Sequence, residues 1–119
     1  MALCTYNYTV SVNTQKSPPV YTIYDSDDNP TDGPLSVKNK NTVITYTLNK
    51  DSNHLRFIEP EISGDPDHDL SYTLSADGQT LIIIDANTDE EDICLKLVTI
   101  PGRQTYISPD PQILNRPKS

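Results

Sequence analysis

The chain has no tryptophan, one phenylalanine, one methionine, two histidines, two cysteines and four glycines in 119 residues. Each shortage removes a class of chemistry. Without tryptophan there is no Cys-Trp-Cys signature of a true immunoglobulin domain. So few glycines leave no glycine-rich phosphate loop and no Gly-x-Ser-x-Gly nucleophile elbow. Cys4 and Cys94 lie at opposite ends, so no paired-cysteine zinc motif exists. They read as reduced strand thiols; a bond between them would need an oxidising compartment and adjacent strands. A blue-copper site is excluded, because neither His nor Met follows Cys94. His54 and His68 have no ligand spacing between them and read as exposed loop residues.

Positive charge is scarce as well. Nine Lys and Arg stand against 17 Asp and Glu, a net charge of −8. Nucleic acid and anionic membrane are therefore not expected partners, since both need a basic stripe. No apolar run approaches the roughly 20 residues of a membrane helix. Met1-Ala2-Leu3-Cys4 runs directly into polar strand residues, without the basic and apolar regions of a signal peptide. The expected location is the cytoplasm.

What is abundant is two-residue alternation. Tyr6, Tyr8, Val10 and Val12 share one face of a first strand. Val20 to Tyr24, Leu35 to Lys38 and Thr42 to Asn49 continue the pattern. Leu55 to Glu61 is a strand interrupted by Pro60, which fits an edge or a bulge. Leu70, Tyr72 and Leu74 line the next strand, and Ala76-Asp77-Gly78-Gln79 reads as a hairpin turn. Leu81-Ile82-Ile83-Ile84 is an unbroken apolar run, which suggests burial on both faces, beneath the C-terminal segment. Ile93, Leu95 and Leu97 alternate again. The fold class is all-β, an antiparallel, immunoglobulin-like β-sandwich of about 7–9 short strands; a small barrel is the alternative. Residues 1–107 form the domain. Residues 108–119, rich in proline, form a tail that packs on it or extends from it, because proline-dense sequence does not suit a central strand.

Three acidic loops are candidates for chemistry. Asp25, Asp27 and Asn29 have the one-three-five spacing of a calcium loop, but Pro30 and Ser36 occupy the positions of the required Gly and Glu. Asp65, Asp67 and Asp69 repeat the spacing, with Leu70 in the sixth position. Asp89-Glu90-Glu91-Asp92 is a bare charge cluster. The main reading is solvated turns with no cofactor. The alternative is a calcium site at Asp25, Asp27, Asp65, Asp67 and Asp69, serving a calcium-dependent ligand-binding module, carbohydrate being one ligand class. Glu59 and Glu61 share a strand face and read as edge protection; acid–base work with His54 or His68 would require a concave pocket. The seven tyrosines all fall in expected strands and suit sheet packing better than a sugar platform. The tail offers Asp110, Ile113, Asn115 and Arg116 as ligand or partner contacts, with Ile113 or Leu114 filling an apolar gap and Asp110 capping a turn or pairing with Arg116.

Ser108-Pro109-Asp110-Pro111-Gln112-Ile113-Leu114-Asn115-Arg116-Pro117 resembles the closing motif of the DP-EP family of small bacterial proteins. Gly64-Asp65-Pro66-Asp67, Leu70 through Thr80, Asp85-Ala86-Asn87-Thr88-Asp89 and Glu91-Asp92-Ile93-Cys94 are similar to its middle. Glu59-Pro60, Asp65-Pro66 and Asp110-Pro111 supply the dipeptides of the family's name. The resemblance covers roughly residues 40 to 117, the earlier part matching only in strand pattern. It implies a bacterial β-sandwich and carries no activity, so no catalytic or binding residue is transferred from it. The expected function is that of a non-enzymatic binding or self-association module, its partner a second copy, an unknown protein or a small ligand.

Overall fold

A computed structural model of the chain describes residues 5–13, 15, 20–30, 35–66, 68–100, 104–105 and 113–117. Alternation becomes strand wherever β-branched and aromatic residues meet a two-residue period. β1 (Thr5–Asn13), β2 (Val20–Tyr24), β4 (Thr42–Leu48), β7 (Leu70–Leu74) and β8 (Thr80–Asp85) form a five-stranded sheet in the order β2-β1-β4-β8-β7. β3 (Leu35–Val37), β6 (Glu61–Ser63), β9 (Glu91–Lys96) and β12 (Ile113–Asn115) form a four-stranded sheet in the order β3-β12-β9-β6. β5 (Arg56–Phe57), β10 (Val98–Ile100) and β11 (Gln104–Thr105) form a small third sheet.

The all-β, sandwich-like arrangement expected from the alternation is present. The sheets are mixed, however: β1 runs parallel to β4, and β12 parallel to β3. The inner face of the large sheet presents Val10, Ile23, Ile44, Tyr46, Leu81 and Ile83. Val37, Ile93, Leu95 and Ile113 of the four-stranded sheet and Phe57 of the small sheet join the same core. Each such side chain, fully buried, contributes about 1.5–3 kcal/mol. Tyr8 and Tyr46, opposite one another in register, stack with ring centres 5.5 Å apart. The Tyr21 hydroxyl bonds Thr99 Oγ1 and so ties β2 to the small sheet.

Three expectations are corrected. Leu81 and Ile83 are buried, but Ile84 is 42% exposed, so the apolar run is not covered on both faces. Residues 113–115 of the C-terminal segment lie in the four-stranded sheet. Second, residues 113–115 are a central strand, between β3 and β9. Pro111 and Pro117 flank this strand in the sequence, leaving five consecutive residues between them that carry backbone donors. Third, Pro60 divides its strand in two, β5 pairing β10 and β6 pairing β9, although both pieces are edge strands as the proline leads one to expect. Cys4, Pro18-Pro19, Tyr106-Ile107 and 108–112 lie outside the described residues.

Candidate functional site

The strand period sends several polar side chains inward. Asp85 lies two residues beyond Ile83, Glu91 two before Ile93, and Asn115 two after Ile113. Each shares the buried face of its neighbour. Asp85, Asn87 and Asn115 are fully buried, and Asp69 and Glu91 are 4% and 8% exposed. These residues gather where the end of β8 meets the starts of β7 and β9 and the end of β12.

Hydrogen bonds fix the cluster. Asn115 Nδ2 donates to Asp85 Oδ1 (3.0 Å) and to Asp69 Oδ2 (3.3 Å). Thr88 gives its hydroxyl proton to Asp69 Oδ1 (2.6 Å) and its amide proton to Oδ2 (2.9 Å). The Asn87 amide donates to Asp85 Oδ1 (2.9 Å), and its Nδ2 to the Val37 carbonyl (3.0 Å). Asp65 accepts the amides of Asp69 (2.8 Å) and Leu70 (3.1 Å), closing the loop before β7. His68 and Asn87 adopt positive φ, +54° and +52°, on either side of this network. Asparagine tolerates that conformation better than most residues.

Burial pushes Asp85 up to about 6, against the bonds it receives from Asn115 and Asn87, and the negative charges of Asp69 and Asp65 push the same way. Burial alone would also raise Asp69. Bonds from Thr88, Glu91 and Asp89 outweigh it, and the Asp69 carboxyl titrates below the ordinary aspartate range. One carboxylate oxygen from each of Asp65, Asp69 and Glu91 lies within 4.8 Å of the others.

The candidates from sequence separate into groups. Asp65, Asp69 and Asn115 meet in this cluster, though they come from two unrelated stretches. Asp25 and Asp27 are not part of it. Asp25 Oδ1 instead accepts the amides of Asp27 (2.9 Å) and Asn29 (3.0 Å), a local turn. Asp67 and Asp110 lie outside the described residues. Ile113 is a core residue. The Arg116 guanidinium faces outward, to Asp92 Oδ1 (2.6 Å) and the carbonyls of Asn115 and Glu91. The solvated-turn reading does not hold for Asp69 and Glu91, since strand parity and the loop tie draw both inside. Asp85, Asn87 and Asn115 as a unit were missed, although the parity of Leu81, Ile83 and Asp85 is the signal that finds the first.

An open pocket of about 490 Å³ adjoins the cluster, with Asp65, His68, Ile62 and Leu70 among its walls. Glu59 and Glu61 are not among them. His54 is exposed at the other end of the β4–β5 connection.

The opposite surface of the five-stranded sheet has a different character. Its cross-strand rows read Tyr24–Thr9–Thr47–Thr80, Asn7–Thr45–Ile82–Thr73 and Thr5–Val43–Ile84–Ser71. No row contains a charged residue.

No curated protein matches the chain. A family model, described as the DP-EP family, matches residues 4–117. The match takes in the N-terminal strands, where the sequence resemblance is weakest, together with the loop and C-terminal residues that build the buried cluster. The chain belongs to the DP-EP family.

Proposed function

We propose that the protein is a non-catalytic binding module that pairs with a second copy of itself through the outer face of its five-stranded sheet. The supporting observation is the absence of charge from that face in a chain carrying −8. Two like-charged copies repel in most orientations. They approach without that cost through rows of Thr, Ser, Asn, Val and Ile. The half-exposed Ile84 gives the face an apolar contact point.

The strand spacing sets the size of the contact. Five strands about 4.8 Å apart, with about 6 residues each, span on the order of 500 Å². That is below the ~800 Å² per partner of a standard interface, so the dimer is expected to depend on concentration. Light scattering from micromolar to millimolar protein should show the mass rising from 13.3 kDa towards twice that value. Ile84→Glu, which puts a carboxylate onto the face, should hold the chain monomeric without lowering its Tm appreciably. A wild-type chain that stays monomeric at millimolar concentration would end this reading.

A further inference from the structure

We propose that Asp65, Asp69, Asp85, Glu91 and Asn115 form a binding site for one Ca²⁺ ion, which clamps β12 between β7–β8 and β9. The inference is independent of self-association and rests on different residues.

Buried carboxylates alone do not make a site, and here a second observation points to a ligand. Asp85 Oδ2, Asn87 Oδ1 and Asn115 Oδ1 are buried and have no hydrogen-bond donor among the described residues. All three are oxygens on side chains fully removed from solvent. Two of them belong to side chains joined directly by the Asn115–Asp85 bond, and Asn115 also touches Asp69. Buried acceptors without donors are costly. Carboxylates packed together are costlier still unless a positive charge sits among them. The nearest guanidinium in sequence, Arg116, is engaged with Asp92 and backbone carbonyls.

The donor chemistry selects the ion. Every candidate ligand atom is a carboxylate or amide oxygen, which suits a hard cation; zinc favours nitrogen and sulfur. Coordination discriminates further. Ca²⁺ accepts six to eight oxygens in irregular geometry, amide oxygens included, whereas Mg²⁺ demands near-octahedral geometry and keeps several waters. The Asp65, Asp69 and Glu91 oxygens lie within 4.8 Å of one another, close enough to share one ion. Asp65 is half-buried and forms part of the pocket wall, which gives the ion an entry path from solvent.

The test uses full-length protein stripped with chelator. Equilibrium dialysis against Ca²⁺ should find one ion per chain. Calcium at a hundredfold excess over Kd should raise Tm by on the order of 10 °C, and magnesium at equal concentration by much less. Glu91→Gln should abolish most of the calcium response, yet in chelator melt no lower than wild type, because the glutamine amide can donate to Asp69 as Glu91 does. Asp25→Asn should leave the response intact. Absence of stoichiometric binding at 10 mM Ca²⁺ would overturn the site. So would a Tm rise matched by magnesium or by sodium chloride at equal ionic strength, since that is general screening of an acidic chain. A Glu91→Gln variant that still binds calcium with wild-type affinity would remove Glu91 from the ligand set and overturn the proposal as stated.

Discussion

Gly64 holds φ at +76°, and a Cβ built on it would stand 2.5 Å from the Asp92 carbonyl oxygen. That oxygen is backbone and cannot swing away. Gly64→Ala should therefore cost more than the ~1 kcal/mol of an ordinary positive-φ substitution, and a urea titration should show the midpoint falling. Asp77 offers a pH signature remote from the buried cluster. Its carboxylate accepts the Gln79 amide (3.0 Å) and the Ser75 hydroxyl (2.7 Å), which hold it below the ordinary aspartate range. A depressed folded value means stability that is present above the unfolded value and lost as pH falls through the folded one. The Tm advantage of wild type over Asp77→Asn should accordingly shrink between pH 5 and pH 2, and a constant difference would contradict the assignment. At this scale the sequence is informative wherever parity operates. Asp85 and Glu91 are inward because Ile83 and Ile93 are. It is silent about which carboxylates meet, because Asp69 and Asn115 are joined only by tertiary folding.

The elements show where local rules end. Gly78 and the Asp77 turn make the β7–β8 hairpin readable from residues alone, and φ at Gly78 is +70° as such a turn requires. β12 is not readable that way. Its three residues carry little strand signal of their own and sit among prolines. They become a central strand because β3 and β9 present free edges on both sides and Ile113 fills the core. Ile113→Ala should cost about 2–5 kcal/mol, and Asn115→Ala should add to it by leaving the Asp85 and Asp69 carboxylates without their shared donor. Arg116 contributes less. Its pair with Asp92 is partly exposed on both sides and is worth at most about 1 kcal/mol. Chemical denaturation of the three variants should rank them in that order, with Arg116→Ala the mildest.

For the whole molecule, the composition limits the fold to β layers, but the connectivity lies beyond it. Alternation gives the strands and their faces. It cannot distinguish an antiparallel neighbour from a parallel one, and both parallel pairings join strands far apart in sequence. The large sheet buries one face in the core, and among the described residues nothing buries Ile82 and Ile84 on the other, which is why they look like interior residues in the sequence and are not. Removing residues 113–119 should leave β3 and β9 as unpaired edges and open the core at Ile113. Circular dichroism of the truncated chain should then show loss of the cooperative melt, whereas an unchanged melt would mean that β12 is dispensable.

The position of β12 also governs time. Its Ile113 pairs with Leu35, so closing the four-stranded sheet brings together segments that are far apart along the chain. Such long-range closure places a β protein of this size in the slow regime, with folding in milliseconds to seconds. Until that step is complete, two strand edges stand open with a gap one strand wide between them. During that interval the molecule is as receptive to another chain's segment as to its own.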